Sequence, residues 1–184
     1  MAPGDDREVL FRRIYAAHFR QISAYAFRRA SKDEAEDAVA ETFLVAWRRF
    51  EEVPGGELTL PWLYGVARRV LSEGRRSRGR RERLLAKLGR LGGRGDPEPL
   101  IDERLTEEQV VHLALSRLRP HDREILRLAE WEDLTNAELA VVFGCSVNAV
   151  TIRLHRAHRR FEVALRSVDQ EASAMDRGVE DQLG

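Results

Sequence analysis

Apolar residues recur every three or four positions along most of this 184-residue chain, the spacing that gathers them on one side of an α-helix. Val9, Leu10, Ile14 and Ala17 follow it, and so do Ile22, Tyr25, Ala26 and Ala30. Ser31 followed by Glu34 reads as a capping box. It predicts a helix to Phe50 with Ala35, Ala38, Thr42, Ala46 and Phe50 along one side. Val53-Pro54-Gly55-Gly56 then forces a loop. A fourth helix is expected from about Leu60 towards Arg83, with Pro61 tolerated in its first turn. Trp62, Val66, Ala67 and Val70 are its apolar positions, and Gly74 and Gly79 weaken its far end.

Gly89, Gly92, Gly93, Gly95, Pro97 and Pro99 mark a flexible linker. Beyond it, Thr106 and Gln109 form a second capping box ahead of Val110, Leu113, Ala114 and Leu118. Pro120 opens the next helix, with Ile125, Leu126 and Leu128 apolar. Thr135 and Glu138 make a third box for a short helix that stops at Gly144. Ser146 caps a last helix to about Leu165. The residues from Asp169 are polar, lack a strong period and are expected to be mobile. No stretch carries a convincing strand pattern. The expected fold is all-α: a helical domain over 1–85, a linker over 86–104, a second helical domain over 105–167 and a polar tail over 168–184.

Thr135 to Arg160 has the pattern of a helix-turn-helix. Ala140 is small where two helices cross, Gly144 suits a left-handed turn, and Val150 begins the packed face of the second helix. Val147, Val150, Leu154, Phe161 and Leu165 are expected to face the core. Ala149, Ile152, Arg153, Arg156 and Arg160 then point outwards, flanked by Asn148, His155 and Arg159. Such a helix fits the major groove of DNA. Arg153, His155 or Arg156 suit base edges, whereas Ser146 and Arg159 suit phosphates.

Charge sharpens this picture. The formal net charge is zero, yet eleven Arg and Lys residues lie between Arg68 and Arg94 against only Glu73 and Glu82. Arg75, Arg76, Arg78, Arg80, Arg81 and Arg83 form a groove-lining run for a nucleic-acid backbone, or a solvated helix end. Trp62 and Tyr64 fit either a stacking platform for unpaired bases or a core. The helix after Ser31 instead exposes Asp33, Glu36, Asp37 and Glu41, a face suited to a basic protein partner or to solvent. Arg greatly outnumbers Lys, as suits phosphate binding or a GC-rich genome. Cys145 is the single cysteine and is read as a packing residue, so no internal disulfide forms. His155 and His158 lack an evident third ligand, and no metal, cofactor or catalytic residue is expected. Met1 to Glu8 is polar and acidic, and no stretch approaches the roughly 20 apolar residues of a membrane span. A cytoplasmic protein is therefore expected.

Three stretches resemble the extracytoplasmic-function (ECF) sigma factors of the sigma-70 family. LTNAELAVVFGCSVNAVTIRLHRAHRRF is similar to sigma region 4. DEAEDAVAETFLVAWRRF is similar to the region 2 helix that docks on the polymerase clamp. PWLYGVARRVLSEGRRSRGRR is similar to the segment that reads the −10 element. The resemblance spans roughly Phe11 to Leu165. It implies a non-enzymatic initiation factor that binds core RNA polymerase, through the clamp helices and the flap, and promoter DNA, double-stranded at −35 and single-stranded at −10. An anti-sigma factor would be a further partner. By resemblance Asp37, Glu41, Phe43 and Trp47 meet the clamp, Trp62, Arg68 and Arg69 lie in the −10 segment with Arg75 and Arg76 beyond, and Thr151, Ile152, His155 and Arg156 face the −35 element. Three positions depart from the family pattern. Ala40 replaces a common Gln, Arg69 a common Asn, and Thr151 a common basic residue. A polymerase-independent helix-turn-helix regulator explains the second domain equally well but leaves the acidic and basic helices of the first idle.

Overall fold

The computed structural model describes residues 3–87 and 106–180. Residues 88–105, which hold most of the expected linker, lie outside them. The described residues form helices and connecting turns, with no strand among them: α1 (Pro3–Phe27), α2 (Lys32–Arg48), two short 3-10 turns, α3 (Thr59–Lys87), α4 (Glu107–Ser116), α5 (Pro120–Glu130), α6 (Asn136–Phe143) and α7 (Val147–Glu180). The chain divides into two compact units, α1–α3 in the first and α4, α5 and α7 in the second, with the division falling within α6 after Leu139.

In the first unit, small residues let helices approach closely. Ala35, Ala38, Thr42 and Ala46 are all buried along α2, and the Thr42 hydroxyl is satisfied by donating to the Ala38 carbonyl at 2.6 Å. They pack with Ile22, Tyr25 and Ala26 of α1 and with Leu63, Val66, Ala67 and Leu71 of α3. The Tyr25 and Tyr64 rings meet at 5.1 Å, so Tyr64 belongs to the core and not to a stacking surface. The Ser31 box forms: Glu34 accepts from the Ser31 backbone N–H at 3.1 Å and from its hydroxyl at 2.6 Å. Thr59 closes the Pro-Gly loop by donating to the Pro54 carbonyl at 2.7 Å.

The two helices expected before Ser31 are one. Nothing between Ala17 and Ile22 breaks the backbone ladder, and the shared face simply continues through α1. Likewise α3 passes through Gly74 and Gly79, because a lone glycine costs only about 1 kcal/mol in a long helix.

The second unit is built on Ala114, Leu115, Leu118, Ile125, Leu126, Leu128, Leu134, Leu139, Val150 and Ala157. Arg123 fastens its corner. Its guanidinium donates to the carbonyls of Leu115 at 2.8 Å, Ser116 at 2.5 Å and Leu118 at 3.2 Å, carbonyls at and just past the end of α4 where helical hydrogen bonding runs out. The expected mobile tail is helical instead. Beyond Leu165, α7 continues to Glu180. Val168 is buried, and Arg117 donates to Glu171 at 2.9 and 2.5 Å and to the Ser167 hydroxyl at 3.1 Å, so side chains of α4's end hold the extension. That pair holds the Glu171 carboxyl below its ordinary value.

Candidate nucleic-acid interface

Each end of the turn before α7 is fixed by local chemistry. Thr135 caps α6: its hydroxyl accepts from the Glu138 N–H at 3.3 Å, while Glu138 accepts from the Thr135 N–H at 2.8 Å. Gly144 ends α6 at φ +60°, a conformation that disfavours residues with a Cβ. Ser146 then accepts from the Ala149 N–H at 3.2 Å and starts α7. The two helices are bent by 99° across this turn, within the helix-turn-helix range.

Val150 and Ala157 point α7 into the core, so its opposite side faces outwards. Ser146 before the helix and Asn148, Thr151, Ile152, Arg153, His155, Arg156 and Arg159 along it are exposed, Arg153 at the margin of the packed side, and Ala149 is half-buried. Val147, expected in the core, is 48% exposed, because it sits in the first turn beyond the reach of the packed face. Arg160 is committed elsewhere: it donates at 2.7 Å to Asp122, whose side chain is buried. Arg153 donates to the Cys145 thiol at 3.4 Å, and His158 lies 3.3 Å from Glu130.

Sequence reasoning missed Arg119 and His121. They stand at the start of α5 and line, with Asp122, Arg153, Arg156 and Arg160, a cavity of about 230 Å³. A Pro at the first helical position flanked by Arg and His was the only local sign, and nothing in it points to a helix some thirty residues further on.

In the first unit, Arg69, Arg75 and Arg76 are exposed on α3, while Trp62 and Arg68 are half-buried. Arg69 also donates to the Gly65 carbonyl at 3.2 Å. Arg78 forms an ion pair with Glu34, linking α3 to the start of α2. Between these helices runs an open groove of about 750 Å³, bordered by Asp37, Glu41 and Leu44 on one side and by Val70, Arg75 and Arg78 on the other. Asp37 and Glu41 are exposed, and Trp47 is partly so. Phe43 is only 4% exposed and packs on Tyr15, with ring centroids at 4.7 Å. Expected at a polymerase-facing surface, Phe43 instead has its ring beneath the α2 surface, packed by Tyr15 and Phe19. Trp47 is partly exposed, with Phe11 edge-on at 5.1 Å and the Arg7 guanidinium 4.6 Å from its ring.

Among the described residues no three His, Cys, Asp or Glu side chains group as a metal site, and no single helix is long and apolar enough to cross a membrane. A capped helix-turn-helix with an exposed basic face, carried with a second helical unit, is an architecture common among DNA-binding transcription proteins. Residues 14–81 match sigma-70 region 2 and residues 108–161 match sigma-70 region 4. The chain is 28% identical over 166 residues to the ECF RNA polymerase sigma factor SigL of Mycobacterium tuberculosis, covering 86% of this chain and 90% of SigL. It is 27% identical to SigG of the same species, covering 95% of this chain but 54% of SigG. Its fold is similar to that of the sigma factor RpoE, solved with the anti-sigma factor NepR from Bartonella quintana, with a TM-score of 0.60 and 25% identity over 85% of this chain and 96% of that one. CnrH, solved with the cytosolic domain of CnrY, shares the fold at a TM-score of 0.55 and 21% identity, over 87% of this chain and 90% of that one. The chain belongs to the sigma-70 family, in its ECF group, whose members are non-enzymatic factors for promoter-specific transcription initiation.

Proposed function

We propose that this chain joins core RNA polymerase in the cytoplasm, directs it to promoters and helps to open the DNA. The observation that carries this reading is the separation of charge between helices: α2 exposes Asp37 and Glu41, whereas α3 and α7 expose arginines. An acidic face repels DNA but suits a basic protein surface, while arginine-rich helices suit phosphates and guanines. In this reading α2 docks on the clamp helices of polymerase through Asp37, Glu41 and Trp47. Arg69, Arg75 and Arg76 hold the −10 strand along α3, with Trp62 at the near end and Arg68 behind them. The face of α7 reads the −35 duplex: Arg153, His155 and Arg156 reach base edges, and Ser146 and Arg159 hold phosphates. The second unit also meets the polymerase flap. An anti-sigma protein is a further partner, as NepR is for RpoE. The polymerase makes the bonds, and this chain supplies position and strand capture.

The test is transcription in vitro with core polymerase over a library of promoters. The reading requires that transcripts start from a defined subset only when this chain is present. If the chain never associates with core polymerase while still binding a promoter duplex tightly by itself, it acts as a polymerase-independent regulator instead.

A further inference from the structure

An aliphatic side chain sits at the centre of the polar face of α7. Asn148 and Arg156 lie four residues to either side of Ile152, and His155 and Arg159 lie three and seven residues beyond it. At 100° per residue these positions run down the side opposite Val150 and Ala157, which face the core. Ile152 is 43% exposed. An isoleucine gains nothing from that place in a purely solvated helix, where a straight polar residue is preferred.

Thr151, its neighbour, has its hydroxyl engaged on both sides. The hydroxyl donates to the Val147 carbonyl at 3.0 Å and accepts from the Asn136 side-chain amide at 3.1 Å. With its proton spent on the helix backbone, Thr151 has no donor left for a base, and its methyl group is its main remaining contact. The first two turns of α7 thus offer aliphatic surface from Ile152 and Thr151, and the cationic side chains begin only at Arg153.

The one apolar group on the floor of the DNA major groove is the C5-methyl of thymine. We propose that Ile152, with Thr151 held by Asn136, is a specificity-determining element that selects thymine methyl groups in the −35 duplex. This rests on the reading of α7 as the −35 helix. Arg159 and Ser146 hold phosphates, Arg153, His155 and Arg156 meet polar base edges, and the aliphatic pair adds discrimination at thymine positions, which those polar side chains do not supply.

The experiment changes one methyl group at a time in the DNA and nothing in the protein. Polymerase carrying this chain is titrated with its preferred −35 duplex, taken from the promoter library, and with duplexes in which each thymine in turn is replaced by deoxyuridine. The expected result is a loss of about fourfold in affinity at one or two positions, the equivalent of roughly 0.8 kcal/mol for one buried methyl. With Ile152→Ala, the thymine and deoxyuridine duplexes bind alike at those positions, and the slope of affinity against salt is unchanged because no phosphate contact is lost. Equal binding of all uridine-substituted duplexes by the wild-type protein overturns the proposal while leaving α7 a DNA-reading helix. Absence of any sequence preference in the −35 duplex overturns the underlying reading as well.

Discussion

Replacing Gly144 by alanine isolates the torsional cost of the turn before α7. The backbone there holds φ at +60°, and a Cβ built onto it meets no atom within 4 Å. The penalty is therefore conformational and not steric. An L-residue in the left-handed region costs roughly 1–2 kcal/mol. Stiffening of the unfolded chain returns about 0.4–1 kcal/mol. The net destabilisation should be about 1 kcal/mol, which lowers a urea midpoint by roughly 0.3–1 M for a small domain. Trp131 is suited to follow it, since its half-exposed ring lies in the α5–α6 connection with the Arg127 guanidinium 4.9 Å away. Trp47→Phe and Trp62→Phe remove the other two tryptophans, so emission then reports the second unit alone. Gly144→Asn should recover most of the loss, because asparagine tolerates this region better than alanine. An alanine variant as stable as wild type refutes the reasoning. An asparagine variant as weak as alanine shows that something other than φ is at stake.

Further outcomes are expected at other sites. Asp37→Lys reverses an exposed charge on α2 and should weaken association with core polymerase severalfold while leaving the thermal midpoint in place, as measured by co-purification and calorimetry. Arg156→Ala should reduce −35 duplex binding by about 1–3 kcal/mol and relax the preference at one base pair, read by competition binding. Burial of His18 holds its imidazole below the ordinary 6.5, with its Nδ1 buried and without a hydrogen-bond partner in the structure. The unfolded chain therefore takes up a proton that the folded chain resists, so stability should fall as pH drops through about 6.5. His18→Leu should flatten that part of a stability-against-pH curve, and an unchanged slope would exclude His18 as its source.

The parts legible in the sequence were those set by neighbours in the chain. The boxes at Ser31, Thr106 and Thr135, the start at Pro120 and the turn at Gly144 each depend on residues no more than four apart, and each forms as the residue types require. Helix lengths were less legible. The joining of α1 and the extension of α7 depend on the absence of a breaker and on a distant partner such as Arg117, 54 residues from Glu171. The outward face of α7 was legible because helical period alone turns Ile152 and Arg156 away from Val150. The commitment of Arg160 was not, since Asp122 lies 38 residues away and no local pattern pairs them. Nor was the depth of Phe43, which is decided by Tyr15 and Phe19 arriving from α1.

The length of α7 has a mechanical consequence. Thirty-four residues in one unbroken helix make a rod of about 50 Å, with the exposed turns proposed to meet DNA at one end. Its only described side fastening past residue 170 is the grip of Arg117 on Glu171. A load applied at the far end is transmitted along the rod as torque instead of being absorbed by a joint. Protein fused after this helix would swing with that end, so a tag for measuring promoter affinity belongs at the opposite terminus.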